Sequence, residues 1–143
     1  MCIRDSSNGN DTLNGSSGDD SLIGGNGDDT IIGGLGADFN NGGGGFGDVI
    51  DYSGSFEGVE ARLGGSQIFD GGFATGDSFQ GIEDLIGSSF NDTLVGNVRA
   101  NTLTGNDGAD FLNGDRGNDT LLGGDGDDTI AVSYTHLTLP TKA

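Results

Sequence analysis

The chain has 143 residues, among them 31 Gly, and its 23 acidic side chains outnumber five Lys and Arg, which gives a formal net charge of −18 at pH 7. A charge of this size repels nucleic acid and anionic membrane surfaces, and no apolar stretch is long enough to cross a bilayer. We therefore expect neither nucleic-acid binding nor direct membrane insertion.

Both ends of the chain differ in composition from the rest. MCIRDS at residues 1–6 and VSYTHLTLPTKA at residues 132–143 resemble translations of the transposase mosaic-end adapter used in sequencing libraries. We interpret both segments as assembly artefacts and exclude them from the fold prediction. A natural strand from Val132 to Leu139 is the alternative for the second segment.

A nine-residue period organises two blocks of the chain, at residues 7–50 and 87–131. In the regular units an Asp follows a Gly by two residues and precedes an aliphatic residue by two, as in Gly9, Asp11 and Leu13. A short fixed period is typical of a solenoid, because each unit is too small to bury a core alone. The phased aliphatic positions argue against the alternative, a Gly- and Asp-rich disordered polymer that binds nothing.

The unit GGNGDDTII, at residues 24–32, predicts a turn followed by a short strand. Its three glycines suit a tight turn because they lack a Cβ, whereas the β-branched residues from Thr30 to Ile32 suit a strand. Such a strand places one side chain inward. Two units would close a flattened coil, so that every second unit lies directly above the first.

This stacking places acidic residues above one another, for example Asp11 over Asp29 and Asp92 over Asp110. Two carboxylates separated by one strand spacing of about 4.8 Å repel by ~3 kcal/mol at an effective dielectric of about 20. A hard divalent cation between them would offset the repulsion, and the turns offer glycine carbonyl oxygens as further ligands. Ca²⁺ fits because it accepts roughly six to eight oxygens in irregular geometry.

The units resemble the RTX, or haemolysin-type calcium-binding, nonapeptide repeats of consensus GGxGxDxUx, where U is a large aliphatic residue. GGNGDDTII and GGDGDDTIA, the latter at residues 123–131, match every fixed position. The resemblance implies a parallel β-roll that binds several Ca²⁺ ions through the sixth-position Asp and through backbone carbonyls. The implied ligands are Asp11, Asp20, Asp29, Asp38, Asp92, Asp110, Asp119 and Asp128, with Gly9, Gly18, Gly27, Gly36, Gly108, Gly117 and Gly126.

Several units depart from the consensus, and each departure weakens a particular site. Phe90 and Arg99 replace fourth-position glycines, Asn101 replaces an Asp, and Asn40 replaces an inward aliphatic residue. Gly47 is interpreted as an insertion that pushes Asp48 out of phase, so we expect no dependable calcium site there. The inward ladders are predicted to keep their spacing. They are Leu13, Ile31 and Val49 in the first block, and Leu94, Leu112 and Ile130 with the pair Leu103 and Leu121 in the second.

Residues 51–86 lose the nine-residue period but keep β character. Val59, Ala61 and Leu63 alternate with charged residues, which is typical of a half-buried strand. The segment also holds four phenylalanines, too many large apolar groups for the alternative of a solvated linker. We therefore predict an irregular β spacer within one continuous solenoid.

The predicted function is a structural one: the chain is unfolded where Ca²⁺ is scarce, and folds outside the cell at the millimolar affinities typical of extracellular sites. The resemblance implies a secreted bacterial protein whose partners are calcium ions and the type I secretion machinery. The alternative is a part of an extracellular enzyme, such as a protease, a lipase or a polysaccharide-modifying enzyme, or of an adhesin, whose functional domain lies outside residues 1–143.

Catalysis by this chain itself is not expected. Residues 7–131 contain no Lys, His or Cys, and therefore cannot supply Ser–His–Asp, Cys–His or HExxH chemistry. A glycosidase-like carboxylate pair among Glu57, Glu60 and Glu83 is the enzymatic alternative, although charges on a solvated strand face are far commoner.

Overall fold

The computed structural model describes residues 2–4, 7–64 and 71–132, which form short strands and one 3₁₀ helix at Gly72–Ala74. The strands are three or six residues long, as expected when each unit ends in a brief β-branched segment. In chain order they are β1 (Cys2–Arg4), β2 (Thr12–Asn14), β3 (Ser21–Asn26), β4 (Thr30–Ile32), β5 (Phe39–Gly44), β6 (Val49–Asp51), β7 (Glu60–Arg62), β8 (Ser78–Gln80), β9 (Asp84–Ile86), β10 (Thr93–Val95), β11 (Thr102–Asp107), β12 (Phe111–Asn113), β13 (Thr120–Asp125) and β14 (Thr129–Ala131).

The strands form two faces of a flattened coil. The first face is a six-stranded sheet in the order β2-β4-β6-β9-β11-β13, and the second face consists of two four-stranded sheets, β1-β3-β5-β8 and β7-β10-β12-β14. Neighbouring strands pair in parallel, for example Leu13 with Ile31 and Leu94 with Leu112, which are 18 residues apart. The prediction of an all-β parallel solenoid with an irregular spacer is confirmed.

A thin core lies between the two faces, because each strand turns one side chain inward. On the first face the inward side chains form one ladder, and those from Leu13 to Leu103 are at most 3% exposed. Its members are Leu13, Ile31, Ile50, Leu85, Leu103 and Leu121. On the second face the members are Leu22, Asn40 and Phe79 in one sheet, and Ala61, Leu94, Leu112 and Ile130 in the other.

The prediction that Val49 continues the first ladder is wrong. Ile31 pairs with Ile50, which is fully buried, while Val49 pairs with Thr30 and is only partly buried. The insertion in the preceding turn makes this coil one residue longer, which moves the inward position from Val49 to Ile50. Asn40 does occupy an inward aliphatic position, as predicted, and it is fully buried between Leu22 and Phe79.

The spacer joins the two repeat blocks within the same sheets. On the first face, β9 pairs with β6 on one side and with β11 on the other. On the second face the order is inverted relative to the chain, since β8 pairs with β5 whereas the earlier strand β7 pairs with β10. Tyr52 and Phe79 fill the core at this level, with ring centroids 6.4 Å apart. The spacer therefore contributes two consecutive strands, β7 and β8, to the second face and one strand, β9, to the first face.

The two end segments are only partly described. Residues 2–4 form β1, which pairs with β3 at the edge of the second face. The interpretation of residues 1–6 and 132–143 as artefacts concerns the coding DNA and stays a prediction. The alternative strand from Val132 to Leu139 falls, apart from Val132, outside the described residues. Among the residues that the structure does describe, no helix has the length and apolarity needed to cross a membrane.

Candidate calcium sites

The residue that directly precedes each strand stacks above its counterpart in the next coil. On the first face these residues form what we call the first column: Asp11, Asp29, Asp48, Glu83, Asn101 and Asp119. On the second face they form the second column, which has two parts: Asp20, Asp38 and Asp77 in one sheet, and Val59, Asp92, Asp110 and Asp128 in the other. The acidic side chains therefore line both edges of the roll where turns become strands.

Each column is connected by hydrogen bonds from backbone to side chain. The N–H of Asp11 donates to Oδ1 of Asp29 at 2.9 Å, and the N–H of Asp20 donates to Oδ1 of Asp38 at 2.9 Å. The same bond recurs in the second block, where the N–H of Asp92 donates to Oδ1 of Asp110 at 2.8 Å. Each carboxylate thus satisfies the amide of the preceding coil through one oxygen, and its second oxygen remains for another partner.

That second oxygen is buried at four positions and meets no hydrogen-bond donor among the described residues. The four atoms are Oδ2 of Asp29, Asp38, Asp48 and Asp110. A buried carboxylate oxygen without a partner is costly, because it has lost its hydration without receiving a compensating donor. A proton or a cation bound at these oxygens would therefore stabilise the roll.

Burial also affects the protonation of aspartates in these columns. It raises the pKa of Asp38, Asp48 and Asp110 above the usual 3.8, while the backbone N–H that each carboxylate accepts opposes this rise. Carboxylates in neighbouring coils raise these pKa values further. A divalent cation would relieve both the desolvation and the mutual repulsion of the stacked carboxylates.

The space around these buried Oδ2 atoms suits a hard cation. A Cβ placed on Gly24 would overlap Oδ2 of Asp29 and would lie 2.7 Å from the carbonyl oxygen of Gly42 in the next coil. Gly105 has the same surroundings, formed by Oδ2 of Asp110 and the carbonyl oxygen of Gly123. At these two turns the first-position glycine therefore leaves a cleft where a carboxylate oxygen and a carbonyl oxygen converge. An oxygen-only donor set of this kind fits Ca²⁺.

Backbone carbonyls offer further oxygen donors along the same turns. Among the described residues, no three Asp, Glu, His or Cys side chains come together at one point. The seven fourth-position glycines of the predicted ligand set all adopt φ between +97° and +140°. Their carbonyl oxygens stack along the turns, because a Cβ on Gly27 or Gly36 would overlap the carbonyl oxygen of Gly9 or Gly18. These carbonyls follow the two edges of the roll, as do the acidic columns.

The predicted aspartates are not equivalent in the structure. Asp20, Asp29, Asp38, Asp92 and Asp110 are buried, whereas Asp11, Asp119 and Asp128 lie near the ends of the described roll and are partly exposed. Asp11 accepts a hydrogen bond from the hydroxyl of Ser7. At Asp92, both carboxylate oxygens accept hydrogen bonds from Ser88, at 2.7 Å from the N–H and 2.8 Å from the hydroxyl. Asp92 therefore differs from Asp110, whose Oδ2 meets no donor in the part of the chain that the structure describes.

The prediction that Asp48 is out of phase is wrong. The N–H of Asp29 donates to Oδ1 of Asp48 at 2.8 Å, so Asp48 is a full member of the first column. Sequence reasoning also missed Asp77 and Glu83, which continue the two columns through the spacer. The nine-residue period is lost there, but an acidic residue two positions before a large apolar one, as in Asp77 and Phe79 or Glu83 and Leu85, would have identified them.

Comparison with known proteins agrees with this geometry. A family model described as the RTX calcium-binding nonapeptide repeat matches the chain in four copies, at residues 5–39, 77–98, 86–121 and 95–130. These stretches together cover more than half of the chain, and three of them overlap in the second block. No curated protein matches the chain.

Proposed function

The chain belongs to the RTX family of calcium-binding nonapeptide-repeat proteins, and on this basis we propose that its β-roll is a structural module that folds on calcium after export from a bacterial cell. The RTX repeat itself is a calcium-binding structural unit and not a catalytic one. The buried Oδ2 atoms of Asp29, Asp38, Asp48 and Asp110 carry the argument, because each needs a cation or a proton to be stable in the roll.

The overall charge supports a fold that depends on calcium. A net charge of −18 on 143 residues opposes compaction, and the acidic columns concentrate that charge along two edges. Metal binding that occurs only in the folded state contributes its free energy directly to folding. At cytosolic calcium levels the chain would stay largely unfolded, which suits passage through the type I secretion machinery. Millimolar calcium outside the cell would then drive folding.

Calcium titration followed by far-ultraviolet circular dichroism tests the proposal. We expect β signal to increase cooperatively as Ca²⁺ rises to the millimolar range, because each ion connects two successive coils. Mg²⁺ at the same concentrations is the control, and it should substitute poorly since it requires near-octahedral geometry. A β signal in chelator equal to that in millimolar calcium would contradict calcium-dependent folding. An equal response to Mg²⁺ would contradict calcium selectivity.

A further inference from the structure

The two acidic columns contain two kinds of position. In the outer coils, Asp29, Asp38, Asp48 and Asp110 each keep a buried Oδ2 without a donor among the described residues. In the middle of the roll, both side-chain oxygens of Asp77, Glu83 and Asp92 accept hydrogen bonds from the protein itself. The carboxylates in the middle of the roll therefore have protein donors where those of the outer coils would need a cation, although the strands stack in the same way at both places.

Glu83 illustrates how the protein meets this requirement. Its side chain is 4% exposed, and its carboxylate would be a buried charge if it were unpaired. Oε2 accepts the N–H of Asp48 at 3.3 Å, and Oε1 accepts Nη1 of Arg99 at 3.0 Å. Arg99 takes the fourth position of its turn, where the repeat has Gly, and it extends a positive charge towards the column. The guanidinium, on a side chain that is 65% exposed, thus pairs with the carboxylate from the solvent side.

Asn101 follows Glu83 in the first column, and its side chain carries no charge. Its Nδ2 donates to the backbone carbonyl of Glu83 at 2.7 Å, and its Oδ1 accepts the N–H of Asn97 at 2.7 Å. A sixth-position Asp at this point would place carboxylate oxygens beside that carbonyl, and a cation would be needed between them. The amide of Asn101 instead provides its own donor. Arg99 and Asn101 are two departures from the repeat consensus that act at one level.

The second column is satisfied in the same way at the neighbouring levels. Asp92 accepts the hydroxyl of Ser88 at 2.8 Å and the N–H groups of Ser88 and Val59, both at 2.7 Å. Asp77 accepts the hydroxyl of Tyr52 at 2.8 Å and the N–H of Asp38 at 2.9 Å. These donors belong to residues that are themselves mostly buried, so they form part of the core and not of a solvated surface.

We propose that the middle of the roll is a calcium-independent joint, in which Arg99, Asn101, Ser88 and Tyr52 supply the contacts that Ca²⁺ supplies in the outer coils. The inference rests on the proposed function, since it assumes that the outer coils bind calcium. Calcium ions then bind in two separate stacks, one on each side of the joint. On removal of calcium the outer coils lose their structure first, and the joint is the last part of the roll to open.

Hydrogen exchange of the whole chain, resolved to individual amides, tests this proposal. Reporter amides of the joint are those of Tyr52, Gly87 and Thr93, which donate to Ile86, Thr104 and Val59. Reporter amides of the outer coils are those of Thr30 and Thr129, which donate to Asp11 and Asp110. On transfer from millimolar calcium to chelator, we expect exchange to accelerate at least about tenfold in the outer coils and less than about threefold in the joint.

The outcomes separate this inference from the proposed function. Equal acceleration at both sets of amides would overturn the calcium-independent joint but would leave calcium-dependent folding intact. No acceleration at either set would overturn calcium-dependent folding itself, and the joint would fail with it.

Substitution of Arg99 tests its equivalence to a cation. Arg99→Gly restores the repeat consensus and removes the partner of Glu83, so the joint amides should exchange rapidly in chelator and recover protection in calcium. Arg116→Gly is the matched control, because Arg116 carries the same charge in the next turn of the same edge, and it should behave like the unsubstituted chain. Protection of the Arg99→Gly joint in chelator would refute the role of Arg99. Loss of its protection even in millimolar calcium would show that calcium cannot take the place of the guanidinium.

Discussion

The backbone N–H of Asp29 reaches Oδ1 of Asp48 across 19 residues, whereas 18 residues separate Asp11 from Asp29 in the same column. The extra residue is Gly47, because the N–H of Phe46 still donates to Oδ1 of Asp28 at the regular interval. The turn therefore absorbs the insertion between its fifth and sixth positions. Asp48 therefore stacks on Asp29 in the column although the number of residues between them differs from the regular spacing.

This relationship predicts different results for two substitutions of Asp48. Asp48→Asn keeps an oxygen that accepts the N–H of Asp29, so the roll should still fold. The calcium midpoint, which is the Ca²⁺ concentration at half-maximal folding, should rise because a charge is lost. Asp48→Ala also leaves the buried N–H of Asp29 unsatisfied and should cost a further ~1–3 kcal/mol of folding free energy. Calcium titrations followed by circular dichroism would measure both shifts. Identical midpoints for the two variants would show that the hydrogen bond contributes nothing.

Gly24→Ala should impair one calcium site without removing any ligand. The added methyl group would overlap Oδ2 of Asp29 and crowd the carbonyl oxygen of Gly42, so it fills the cleft proposed for the ion. We expect the calcium midpoint to rise by about tenfold, equivalent to about 1.4 kcal/mol.

Gly44→Ala is the control for Gly24→Ala. Its added Cβ would have Oδ1 of Asn26 as its nearest neighbour, at 3.1 Å, and would meet no carboxylate oxygen within 4 Å. Isothermal titration of both variants would compare them. A Gly24→Ala midpoint no higher than that of Gly44→Ala would argue against an ion in this cleft.

Acid should stabilise the calcium-free roll. Burial raises the pKa of Asp77 to about 7 in the calcium-free roll, and it also raises the pKa of Asp38 and Asp110 above 3.8. Between pH 3.8 and about 7 the folded chain therefore binds more protons than the unfolded chain. The stability contributed by these protons is fully present below pH 3.8 and is lost as pH rises through the folded-state pKa values.

Circular dichroism in chelator would check this dependence. The β signal of the calcium-free chain should grow as pH falls from about 7 towards about 4. Asp77→Asn should weaken the pH dependence of the β signal at the upper end of this pH range, since the amide is neutral at every pH. With calcium present the trend should reverse, because protons compete with the ion for carboxylates. A calcium-free β signal that decreases on acidification would contradict the raised pKa values.

Removal of one inward side chain should be costly in so thin a core. Leu103→Ala deletes a fully buried member of the first-face ladder and should destabilise the calcium-loaded roll by about 2–5 kcal/mol. Leu122→Ala is the control, because Leu122 is 52% exposed and its truncation should change stability little. Thermal unfolding in saturating calcium would compare the two variants. Similar losses for both would mean that the ladder is not the core of the roll.

The period and the side-chain alternation were enough to predict the flattened coil and the stacking of regular aspartates such as Asp29 and Asp110. They also predicted inward positions of the ladders, except that Val49 was assigned where Ile50 lies. They failed at Asp48, because a count of residues cannot anticipate a turn that absorbs an insertion. They also missed Glu83, whose place in the column depends on pairing between β6 and β9 across 35 residues. Side-chain donors such as Ser88 could not be assigned from sequence either, since only the folded turn brings its hydroxyl to Asp92.

The inverted order of β7 and β8 has a mechanical consequence. In the described residues the two halves of the roll share backbone pairing on the first face, through β6 and β9, while on the second face β8 and β7 belong to separate sheets. A force that pulls the ends of the roll apart along its axis would meet one paired strand interface at this level and two at the levels on either side. The roll should therefore part first between β8 and β7, with β6 and β9 acting as the hinge.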